Sequence, residues 1–156
     1  MSQGIASSAD AELILKLYEL RTESVMRQAR AWIAGEFWPA TAEEFFVVQN
    51  DFGSQKNAWL RQVVTYWEMA ASLVLHGALS ADLFVDCNPE PFYILAKLAP
   101  ILPEIHNTMP SYFSKTLKLI DNSQAAAVRY EAMKKHVEDR RQARNADWLH
   151  QPKVAG

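Results

Sequence analysis

The residues best placed to do chemistry share one stripe of one helix. Arg61, Thr65, Glu68, Ser72 and His76 follow at steps of four, three, four and four, which on an α-helix puts all five along one side. Such a stripe can wall a cleft, with Glu68 and Arg61 fixing a charged group and His76 serving as acid or base. Tyr66, Trp67 and, from a later segment, Tyr93 would stand near the pocket wall. The same spacing also describes an ordinary amphipathic helix with its polar side in water, or a Glu68 held as a paired structural carboxylate. A rise of 1.5 Å per residue sets Glu68 and His76 about 12 Å apart along the axis, too far for direct cooperation.

Other chemistries find less material. Neither the Glu-x-x-His pairs of di-iron bundles nor a His-Glu-x-x-His motif occurs. Glu104 and His106 fall on different sides of a helix, while Asp147 and His150, at i and i+3, sit close to a terminus expected to fray. His106 and His136 stand apart from other good ligands, so no metal and no cofactor is expected. Phosphate loops and Gly-x-Ser-x-Gly elbows are also absent, which removes sequence support for nucleotide binding and serine hydrolysis. The single cysteine, Cys87, rules out an intramolecular disulfide and fits a cytoplasmic protein; it is expected as a small packed hydrophobe.

Sixteen Lys and Arg against eighteen Asp and Glu give a net charge of −2, too balanced to demand a polyanion or a membrane surface as partner. The last helix is locally basic, with Arg129, Lys134, Lys135, Arg140, Arg141 and Arg144 against Glu131, Glu138 and Asp139. That balance supports at most weak nucleic-acid binding. Of five tryptophans, Trp32, Trp38, Trp59 and Trp67 are expected in the core. Trp148, beyond the charged stretch, is harder to bury and makes an interface candidate together with Arg140 and Arg141.

The elements that must position these residues read as helices throughout. Ser7 or Ser8 can cap a first helix running to about Ala34, with Asp10 and Glu12 in its first turn. Thr41 and Glu44 form a capping box for a short helix carrying Phe45 to Val48. Ser54 then caps the most apolar helix, Trp59 to Leu75, which ends at Gly77 and should be central and largely buried. Ser80 caps a brief helix over Ala81 to Val85. Asn88 caps the next, with Pro89 at its first position, and this helix stops or kinks at Pro100 and Pro103. A further helix begins near Pro110 or Ser111 and presents Phe113, Leu117 and Ile120. Ser123 caps a last long helix whose stripe Ala126, Tyr130, Met133, Val137 fades into Glu138 to Arg144, a stretch expected to be solvated or to touch a partner.

No period-two segment offers material for a sheet. The expected fold is therefore all-α: one bundle of about five to seven helices over residues 8–148, with two long helices and a buried central one, and flexible ends at 1–7 and 149–156. At 156 residues, 49% apolar and 22% charged, the chain has the size and composition of one globular domain. The N-terminus lacks the basic and apolar segments of a secretory signal, and the best apolar runs, Met69 to Leu75 and Phe92 to Ala96, fall well short of the ~18 residues of a spanning helix.

The segment from Val64 to Asp86, with its Tyr66-Trp-Glu-Met-Ala70 core, a glycine and a short acidic helix, resembles a bacterial family of small helical proteins of unknown function. The likeness extends weakly through Phe92 to Ile105 and so covers about a quarter of the chain. Many members carry membrane helices ahead of the domain, which this sequence does not. The resemblance implies a helical fold and marks Glu68 as the position to watch, with no activity to transfer. Two functions follow from the residues. The first is a non-catalytic accessory or protein-interaction module, self-associating as a dimer or bound to another protein. The second is a small-molecule binder or enzyme with its cleft on the central stripe, and weak nucleic-acid binding stands third.

Overall fold

The computed structural model describes residues 5–150, with side chains through residue 147. Among these residues the fold is all-α, with nine helices and no strand: α1 Ser8–Arg21, α2 Ser24–Gly35, α3 Ala42–Gln49, α4 Gln55–Leu75, α5 Ala81–Cys87, α6 Glu90–Leu98, α7 Leu102–Thr108, α8 Ser114–Asn122 and α9 Gln124–His150. The expected tails at 1–7 and 149–156 fall mostly outside the described residues.

Two helices more than expected arise from two local causes. The first long helix is broken at Thr22 and Glu23. Thr22 ends α1 with its hydroxyl on the Glu19 carbonyl, 2.8 Å away, and Glu23 leaves helical geometry so that its carboxylate accepts from the amides of Val25 and Met26. A carboxylate on free amides at a helix start is favourable twice over, as hydrogen bond and as dipole partner. Pro103 is the second cause. It sits in the first turn of α7, where its missing N–H costs nothing, and so opens a helix as well as ending one. The two long helices are consequently α4 and α9, the latter spanning about 40 Å.

Most starts follow the local signals. Ser7, Thr41, Ser54, Ser80 and Ser123 each accept from an amide three residues on. The box at Thr41 is only half closed, because the Glu44 carboxylate reaches back to the Ala40 amide at 2.7 Å, one residue beyond the cap. Asn88 does not cap α6. Its amide donates instead to the Phe84 carbonyl at the end of α5, and its oxygen accepts from Arg21. The helix expected to begin near Pro110 starts at Ser114, after Phe113 adopts a left-handed conformation (φ 58°) with its ring buried. Gly77 (φ 75°) closes α4 in a Schellman turn: its amide bonds to the Val74 carbonyl and that of Ala78 to the Leu73 carbonyl.

Packing is organised around the two long helices. Central α4 is covered by α2, α3 and α8, and α9 is covered by α5, α6 and α8. Leu60, Val63, Trp67, Ala70 and Ala71 of α4 are buried against Phe45, Phe84, Phe92 and Ile105 in one continuous core. Trp32 and Trp67 lie in that core, while Trp38 and Trp59 are half-buried. Cys87 departs from expectation: as the last residue of α5 it faces outward and is exposed. No helix among the described residues is long and apolar enough to cross a membrane.

Candidate functional site

Helical periodicity placed Glu68 on the polar side of α4 and Met69 on the apolar side. The fold inverts this pair. Met69 is 45% exposed, whereas Glu68 is 9% exposed and turned toward the start of α8. Its Oε2 accepts from the Lys115 amide at 3.0 Å, and its Oε1 from the Thr116 amide at 2.9 Å and the Thr116 hydroxyl at 2.7 Å. No residue preceding α8 supplies a cap, since Phe113 stands at that position. Glu68 therefore caps, from α4, the N-terminus of a helix that begins 46 residues later in the chain.

The remaining stripe does not join it. Arg61 is exposed and bonds Asn57 within its own helix; Thr65 turns back on the Arg61 carbonyl; His76 is exposed, with Nδ1 on the Ser72 carbonyl at 2.8 Å. Tyr66 and Trp67 lie on another side of α4. The Tyr66 hydroxyl donates to the Leu17 carbonyl, and burial pushes its pKa up to about 12. Trp67 Nε1 donates to Glu90 Oε1 at 3.3 Å. Glu90 is also held by Arg30, whose Nε lies 3.0 and 2.8 Å from the two carboxylate oxygens. One ion pair thus ties α2, α4 and α6 together.

That pair forms one end of an open groove of about 420 Å³ between α2, α6 and α9. Each helix contributes a face at spacings of three and four: Arg30, Ile33 and Ala34 from α2; Glu90, Tyr93 and Ile94 from α6; Met133, His136 and Arg140 from α9, with Pro89 at the edge. The floor is aliphatic and the rim carries Tyr93, His136 and Arg140. His136 leans on the Tyr93 ring (centroids 6.1 Å apart), and the Arg140 guanidinium lies 5.9 Å from the same ring. Tyr93, a ligand candidate, and Arg140, an interface candidate, are brought together. Arg61, Glu68, His76, Tyr66 and Trp67 lie elsewhere. The side chain of Trp148 lies outside the described residues.

Beside the groove sits a lysine that the periodicity reading passed over. Lys97 is 2% exposed and has no carboxylate partner among the described residues. Its ammonium donates to the Ile33 carbonyl and lies 4.1 Å from the Trp38 ring centroid. The Tyr93 hydroxyl takes the Ala34 carbonyl, and Arg144 takes that of Gly35 at 3.0 Å. Three side chains thus satisfy the last three carbonyls of α2, at the negative end of its dipole. Arg141 does the same for α6, donating to the Lys97 carbonyl at 3.0 Å. Of the stretch Glu138 to Arg144, expected to be solvated or to meet a partner, six of the seven residues are exposed, and Arg141 and Arg144 each reach back to a carbonyl of their own domain. Burial, followed by the charges of Arg144, Arg140 and Arg141, lowers the Lys97 pKa to about 7. The signal was present in the sequence: Lys97 is the only charge between Pro91 and Pro103.

Among the described residues no group of three or more His, Cys, Asp or Glu side chains is arranged to hold a metal ion. A family model described as a domain of unknown function (DUF4760) matches residues 6–123, which takes in α1 to α8 and stops short of α9. No curated protein and no solved structure matches the chain.

Removing the Glu68 cap orphans two amides and a hydroxyl, so Glu68→Ala is expected to lower stability by about 2–4 kcal/mol and Glu68→Gln, which keeps one acceptor, by about 1–2 kcal/mol. Urea unfolding of the three proteins measures this, and equal midpoints would contradict the capping role. Lys97 adds a pH dependence. Below about pH 7 the folded and unfolded chains both carry its proton and the full cost of burying the charge is present. Between about 7 and the ordinary 10.5 only the unfolded chain holds the proton, so stability rises with pH, by at most about 1.4 kcal/mol per unit. Urea midpoints at pH 7 and 9 should climb more steeply in the wild type than in Lys97→Met; parallel slopes would show that Lys97 does not titrate there.

Proposed function

The chain belongs to the DUF4760 family of domains of unknown function, and on that premise we propose that it is a non-catalytic accessory module that acts by binding, with the groove between α2, α6 and α9 as its ligand site. The observation that carries this reading is the convergence of Tyr93, His136 and Arg140 over an aliphatic floor, at a volume within the usual range for small-molecule sites. The buried charges favour binding over reaction. Glu68 and Lys97 are the groups best shielded from water, and both are engaged as helix caps. The one free thiol, Cys87, suits the cytoplasmic setting that forms part of this proposal. With Arg141 and Arg144 turned to carbonyls, the basic stretch of α9 lends little to nucleic-acid binding.

A second reading, self-association, rests on α1. Leu17 is buried against the core, while Leu15 and Tyr18, three residues apart on another side, are 68% and 56% exposed among charged neighbours. A second copy of the chain laid along Leu15 and Tyr18 would cover this exposed apolar pair.

Methionine-methyl NMR tests the first reading, since Met133 lines the groove and Met26 is buried elsewhere in the core. In a titration with a small-metabolite library, hits should move the Met133 methyl and leave Met26 in place; a library whose hits never touch Met133 would sink the groove. Light scattering tests the second. The wild type should show twice the chain mass and the double variant Leu15→Lys, Tyr18→Lys the single mass, whereas a monomeric wild type at every concentration would remove self-association.

A further inference from the structure

The charges around the groove do not cancel, and their imbalance specifies a ligand class. At one end Arg30 is matched by Glu90 in a multiply hydrogen-bonded pair, which leaves no net charge there. At the other end Arg140 has no carboxylate within 4.0 Å among the described residues, and it is exposed. Behind it, Lys97 and Arg144 face carbonyls, and of the neighbouring cations only Arg141 has an acidic partner, Glu138 at 3.6 Å. The groove therefore runs from a neutral end to a positive one across the aliphatic side chains of Ile33, Ile94 and Met133.

Resting on the groove reading above, we infer that this site takes a single-chain anionic amphiphile, a free acyl carboxylate whose chain lies on Ile33, Ile94 and Met133 and whose head meets Arg140 beside His136. The stacking of Arg140 near the Tyr93 face leaves the N–H edge of its guanidinium available, and a planar guanidinium edge matches a carboxylate in two parallel hydrogen bonds. Ile33 and Ile94 are 1% exposed beneath the groove, and the chain end gains from covering the apolar surface left at Ala34, Pro89 and Met133. A cationic head of the same length would meet Arg140 with like charge, and a neutral head would forgo the charge-assisted bonds. A volume of about 420 Å³ suits one short chain. The occupant is thus a free acid, not the two-chain lipid of a bilayer.

The test is calorimetric titration of the full chain with decanoate, decanol and decyltrimethylammonium below their aggregation concentrations, with the Met133 methyl signal as reporter of the site. Decanoate should bind at least tenfold more tightly than decanol, with decyltrimethylammonium the weakest. Arg140→Gln, at an exposed position, should lose the decanoate advantage and keep the decanol affinity within about twofold. Equal binding of all three compounds with Met133 shifts would overturn the anion preference and leave the groove standing. Binding by none of them at Met133 would overturn the preference and count against the groove as well. Decanoate binding unchanged in Arg140→Gln would also overturn the assignment.

Discussion

A fold made of many short helices must satisfy many helix ends. Each terminus leaves four backbone groups without intrahelical partners, and a buried one costs as much as a lost hydrogen bond. Among the described residues this constraint accounts for several charged and amide side chains that reach from one helix to the end of another. Glu68 closes the start of α8, and Lys97, Tyr93 and Arg144 close the end of α2. Asn57, fully buried, donates its amide to the Val48 and Gln49 carbonyls at the end of α3, and Arg30 reaches the Arg21 carbonyl at the end of α1. An anion stands at a helix start and cations stand at helix ends, the signs that the helix dipole favours. The core supplies cohesion; these cross-helix caps fix which helix meets which.

That division explains what could be read from the chain. Caps supplied by a neighbour in sequence, such as Ser54 or Ser123, were legible because the capping residue and the helix it starts lie side by side. So was the burial of α4, whose apolar residues leave only a narrow stripe. The break at Glu23 was less visible, because glutamate is a good helix former and nothing in its spacing shows that its carboxylate will turn back to cap. Glu68 was legible as a residue of interest and illegible in role: the acceptorless helix that needs it begins 46 positions later, at Ser114. The capping use of Tyr93, Lys97, Arg141 and Arg144 was hidden for the same reason. Periodicity sorts residues into inward and outward; it does not say which distant backbone an inward charge will serve.

The groove stands apart from this capping scheme while depending on it. Its α2 wall is held by caps at the helix end, and its α6 wall by the Arg30–Glu90–Trp67 network. Its rim cation, Arg140, bonds no carbonyl among the described hydrogen bonds, in contrast to Arg141 and Arg144 one position and one turn away. Two walls lie inside the family-matched segment and the third, α9, lies beyond it. The scaffold and the groove's charged rim thus come from different parts of the chain.

The pairing of Arg144 with the Gly35 carbonyl, 109 residues apart, also sets an order of events during synthesis. As the chain leaves the ribosome from its N-terminus, α2 is complete while its terminal carbonyls still wait on Tyr93, Lys97 and finally Arg144. Water must hold the Gly35 carbonyl until most of α9 has emerged. The end of α2 therefore locks late, by the arrival of the last helix, and the native groove exists only after that step.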